Sequence, residues 1–101
     1  MATTSKALFR GAATTTLTTT LYTVPSATTT VVTNIAVTNT GSSSYTFDLS
    51  LAGTKIHQAT TISANTTIYI DCKQVLAATN TIQGGASNTA VAFHISGVEI
   101  A

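Results

Sequence analysis

The chain has 101 residues, of which 7% are charged, four basic and three acidic, for a formal net charge of +1. A typical soluble domain carries about 25% charged residues, so the basic footprint that nucleic acid requires is missing. An apolar fraction of 44% allows one cored domain and excludes a disordered chain, which combines low hydrophobicity with high net charge.

Threonine, about a quarter of the residues, takes the place of charge. Its β-branched carbon favours extended backbone and its hydroxyl tolerates water. Residues 1–16 read as an N-terminal arm, partly extended, ahead of a domain over 17–101. Within the arm Lys6, Phe9 and Arg10 are the sizeable side chains. Leu8 and Phe9 fit a second reading equally well, as the start of a first strand. Alternation begins at Leu17-Thr18-Thr19-Thr20-Leu21-Tyr22-Thr23-Val24 and stops at the turn Pro25-Ser26-Ala27, since proline cannot donate within a ladder.

A long strand is predicted over Thr28 to Asn39, with Val31, Ile35 and Val37 on one face. Gly41 to Ser44 is a loop. Tyr45-Thr46-Phe47-Asp48-Leu49-Ser50-Leu51 alternates strictly, the mark of a half-buried strand. The tight turn Ala52-Gly53 leads back into Thr54 to Gln58, with Ile56 inward and Lys55 and His57 outward. Asp48 is expected to pair with Lys55 at the surface. After a loop at Ile62 to Asn65, Thr66 to Cys72 places Ile68, Ile70 and Cys72 on one side. Cys72 reads as a small buried residue. Lys73 to Ala78 is the one plausible helical turn. Thr81-Ile82-Gln83 is a brief strand broken by Gly84-Gly85, and Thr89 to Ile100 closes the chain with Val91, Phe93 and Ile95 on one face. Gly97 marks a bulge or a close backbone contact there.

The pattern predicts an all-β fold, a single-domain antiparallel β-sandwich of seven or eight strands with jelly-roll or immunoglobulin-like topology. No chemistry-bearing motif stands out. His57 and His94 lie outside any nucleophile context, Asp71 and Cys72 point to opposite faces of a strand, and Gly84-Gly85 precedes no helix that would make it a phosphate loop. The expectation is therefore no catalytic, cofactor or metal site, and no enzyme. The threonine runs lack the fixed period of an ice-binding lattice. No stretch has the roughly 18 apolar residues of a membrane span, and Met1 to Gly11 lacks the apolar core of a secretory signal, so synthesis in a reducing cytoplasm is expected.

Taken together, several segments resemble a known class. These are Leu21-Tyr22-Thr23-Val24-Pro25, the strand ending Thr38-Asn39-Thr40, Ala52-Gly53, and Ala64-Asn65-Thr66-Thr67. Val75-Leu76-Ala77-Ala78, Ile82-Gln83 and Ile95-Ser96-Gly97-Val98-Glu99-Ile100 complete the set. The chain from Leu17 to Ile100 is similar to small all-β virion structural proteins of tailed bacteriophages, of the capsid decoration or cement kind. The resemblance implies a subunit made in a bacterial cytoplasm that sits on the head shell. It would act as a homotrimer bound to the major capsid protein, with no nucleic acid, membrane or cofactor. Lys6, Phe9 and Arg10 would meet the shell, Phe9 filling an apolar pocket and Arg10 pairing with a carboxylate. The alternative is a tail or head-fibre attachment module that binds host glycans through Tyr22, Tyr45 or Tyr69.

Overall fold

The computed structural model describes residues 3–101, apart from the side chain of Cys72, and the reading of Cys72 as buried lies outside the described residues. Eight strands are present: β1 Thr3–Ala12, β2 Thr19–Thr23, β3 Thr29–Asn39, β4 Tyr45–Leu51, β5 Thr54–Ile62, β6 Thr66–Leu76, β7 Thr81–Ala86 and β8 Val91–Ile100. They form two four-stranded antiparallel sheets, in the orders β1-β8-β3-β6 and β2-β7-β4-β5. No helix occurs among the described residues.

Pairing is nested about the Ala52-Gly53 turn. β4 pairs with β5, β3 with β6, β2 with β7 and β1 with β8. Ala52 and Gly53 have φ of 52° and 81°, the two positive values of a type I′ hairpin turn, whose twist matches that of the strands. β4 and β5 are the only consecutive strands sharing a sheet; every other connection crosses between sheets.

The core lies between the sheets. Phe47, Leu49 and Ile82 face Ile35, Val37, Phe93 and Ile95 from the opposite layer, all with no exposed surface. The rings of Phe47 and Phe93 meet edge-on at 6.2 Å across the gap, a geometry favoured by their quadrupoles. Gly97 permits a close approach at the bend of the first sheet, since a Cβ there would stand 2.5 Å from the Val31 carbonyl oxygen.

Several expectations are corrected. Residues 1–16 do not stand apart from the sandwich. Thr3–Ala12 pairs with β8 from Thr3↔Ile100 to Ala12↔Ala92, and Leu8 and Ala13 are buried in the core. Of the two readings of this segment, the strand is the one found. The helical turn at Lys73 is absent, because pairing of Val75 and Leu76 with Val31 and Thr30 keeps β6 extended. Ile56 points out, 37% exposed, while His57 turns inward onto the Phe47 ring at 5.2 Å. In β3 an extra residue, Thr33, between Val32 and Asn34 shifts the phase against β8. Val32 is therefore buried and Val31 faces out.

Asp48 is buried at 3% exposure rather than on a solvated face. Its Oδ2 accepts the Lys55 ammonium at 2.6 Å and its Oδ1 accepts the Ala59 amide at 2.9 Å. Ala59, at φ 48°, belongs to a bulge in which His57 and Thr60 pair with Leu49 and Phe47 on either side of Asp48. The hydrogen bond from Lys55 holds the Asp48 carboxyl below the usual carboxylate range, against the opposing pull of burial.

Candidate interaction surface

Directly opposed residues of an antiparallel pair share a face, so the register assigns the outer face of the β1-β8-β3-β6 sheet row by row. One row is Arg10, His94, Ala36, Tyr69; the next is Ala7, Ser96, Asn34, Asp71; the next is Ser5, Val98, Val31, Val75. Beyond the first lies Ala12, Ala92, Thr38, Thr67. The alternate rows, with Ile35, Ile95 and Phe9, face the core. The outer face thus combines His94 and otherwise mostly small residues at its centre with Arg10 on one edge strand and Tyr69, Asp71 and Val75 on the other. Tyr69 is 72% and Val75 66% exposed, both on the edge strand β6.

Of the three residues expected to bind a partner, Lys6 and Arg10 are exposed, and Arg10 alone belongs to the outer rows of this face. Phe9 is half-buried and packs against its own core. Lys6 pairs with Glu99 at 3.5 Å in an exposed bridge. Glu99 also accepts the Tyr22 hydroxyl, which lies 2.8 Å from the Thr30 hydroxyl. This cluster ties β2 of one sheet to β3, β8 and β1 of the other. Burial, and then the bond to Glu99, push the Tyr22 hydroxyl above its ordinary value. From the sequence Tyr69 is a candidate glycan contact and Asp71 is weighed as a metal ligand, but neither is placed with Val75 on a shared protein-binding face. The signal was present, because placing Ile68 and Ile70 inward puts Tyr69 and Asp71 outward.

Among the described residues no group of three or more His, Cys, Asp or Glu comes together as metal ligands would. His57 bonds Thr60 at 3.0 Å and lies tilted against the Phe47 ring, while His94 stands exposed in the Arg10 row.

No family model matches the chain, and no curated protein matches it. Among solved structures it is similar to a pentameric capsid protein isolated from metagenomic phage sequences, with 14% identity over 96% of this chain and a TM-score of 0.28. The chain spans 59% of that protein's length. A TM-score that low does not place the two chains in one fold.

Proposed function

We propose that the protein is a non-enzymatic structural subunit of a bacteriophage virion, a decoration or cement subunit that binds the outer surface of the head shell and stabilises it. The observation that carries this reading is the charge-poor outer face of the β1-β8-β3-β6 sheet, with Tyr69 and Val75 standing out of it. A sheet face with so few charges is poorly protected against association. The two antiparallel four-stranded sheets and their nested pairing are in keeping with the jelly-roll alternative, an architecture used by viral capsid and lectin domains. Fold does not fix function, so the weight rests on the surface. The partners in this proposal are further copies of the chain, as the homotrimer the resemblance implies, and the major capsid protein.

The test is to locate the chain by cryo-EM in particles purified from the cell that makes it. Density on the head surface is the expected outcome; particles free of the chain, or density confined to the tail, overturn it.

One observation favours the second reading, an attachment module that contacts host glycans. The loops at 13–18, 40–44, 63–65 and 87–90 gather at one end of the sandwich, held by bonds such as Thr40 N–H to the Ala90 carbonyl and Ala13 N–H to the Val91 carbonyl. They carry hydroxyls and amides and no charge. Glycan-array binding that is lost on replacing Ser42–Ser44 by alanine is its expected result.

A further inference from the structure

We infer that the outer face of the β1-β8-β3-β6 sheet binds the same face of a second copy, about a two-fold axis running along the strands between β8 and β3. This rests on the self-association part of the proposal above and not on shell binding. Rotation about that axis lays β1 over the second copy's β6, and β8 over its β3. Residues of one row then meet those of the same row in reverse order.

The consequences are specific. Arg10 falls over the second copy's Tyr69, whose exposed ring offers a face for a guanidinium. Asp71 lies two residues along the same strand as Tyr69, about 7 Å away, where the same guanidinium reaches its carboxylate. His94 falls over Ala36, large against small. Ser96 falls over Asn34, Ser5 over Val75, and Val98 over Val31. Each contact occurs twice by symmetry, as an isologous interface requires.

Charge complementarity points to this occupant. Neither Arg10 nor Asp71 forms an ion pair among the described residues, where the two bridges are Lys6–Glu99 and Lys55–Asp48. They cannot pair within one chain, because three strand spacings of about 4.8 Å hold them roughly 14 Å apart. A second copy turned through the two-fold brings the opposite charges together at both edges. The area is adequate but small. A four-stranded face about 19 Å wide and about 27 Å long covers on the order of 500 Å² per copy, and twice that is near the lower bound of about 1,000 Å² for a specific interface. Alone the contact gives a dimer; combined with a three-fold contact it gives six chains.

Sedimentation equilibrium on the full chain tests this, with circular dichroism confirming the fold of each variant. The wild type is expected as an even-numbered assembly. Arg10→Glu and Asp71→Arg each weaken it by about tenfold or more, and the double exchange restores it to within about threefold. Tyr69→Ala, at an exposed position that leaves the core untouched, weakens it as well. A monomeric or purely trimeric wild type, single variants with unchanged association, or a double exchange that fails to restore it overturns the inference. A chain that decorates heads yet stays monomeric sinks this inference and spares the proposed function; a dimer absent from particles does the reverse.

Discussion

Replacing Asp48 by alanine removes the group that closes the bulge in β5. Two interactions go with it. The Ala59 amide, 2.9 Å from Oδ1, loses its acceptor, and an amide bond to a carboxylate contributes about 1.5–3 kcal/mol. The Lys55 contact at 2.6 Å counts for less, because the lysine side chain is 43% exposed and solvent screens it; about 1 kcal/mol is the upper end for such a pair. Asp48→Ala should therefore cost about 2–4 kcal/mol, and Asp48→Asn, which keeps an acceptor for Ala59, about 1 kcal/mol. At this chain length that corresponds to a fall in Tm of about 10–25 °C for alanine. The carboxyl is held below its ordinary value in the folded state. Its contribution is thus complete above the unfolded value of about 3.9 and is lost as pH falls through the folded one. Urea unfolding at stepped pH reads this directly, with the wild type and Asp48→Asn converging at acid pH. An alanine variant within about 0.5 kcal/mol of wild type at pH 7, or a gap to asparagine that persists unchanged at pH 2, would refute the reasoning.

Three other outcomes are expected. Gly85→Ala drives a Cβ onto the Thr16 carbonyl oxygen where the 13–18 loop crosses β7, costing about 1–3 kcal/mol; an unchanged thermal melt contradicts the close approach. Tyr22→Phe severs the bonds to Glu99 and Thr30, for about 1–2 kcal/mol in denaturant titrations. The wild-type Tyr22 hydroxyl is raised by folding, so this support is complete below the ordinary tyrosine value of about 10 and vanishes as pH rises through the folded one. Deleting residues 1–12 strips Leu8 and Phe9 from the core and uncovers the edge of β8. Circular dichroism should show loss of the fold, and a truncated chain that melts like the full one would mean β1 is dispensable.

Where the strands are regular, the sequence was legible. Tyr45 to Leu51 alternates on paper as β4 does in space, and Val91, Phe93 and Ile95 share the core face of β8. The Ala52-Gly53 turn was legible for the same local reason, since glycine supplies one of its two positive φ values. What failed was phase. Extra residues at Leu8, Thr33, Ile56 and Ala59 each advance a strand by one position. Such a slip exchanges the two faces, which is why Ile56 and Val31 turned outward against expectation. A bulge depends on the partner strand, and one strand's residues do not announce it. The helical turn read at Lys73 was overridden likewise by pairing with β3. Asp48 was misjudged because alternation marks which side a residue faces and does not reveal a bulge folded over that side. For the interaction surface, Arg10 and Tyr69 were each named from the sequence but for different partners, and neither they nor Asp71 were placed on one face. They lie at opposite edges of one face, and only the order β1-β8-β3-β6 relates them.

The nested pairing also dictates an order of construction. The innermost hairpin closes over two residues, whereas β1 and β8 join across nearly the whole chain, so each outer pair becomes entropically accessible once the pair inside it has formed. β8 is the last of the eight strands, yet it sits between β1 and β3. Until it is inserted those two strands have bare edges and the outer face has a gap through its middle. On the inference above, the face that would meet a second copy is complete only with the final strand. On that inference, a chain in which β8 is not yet inserted lacks the complete face, and pairing of copies follows folding.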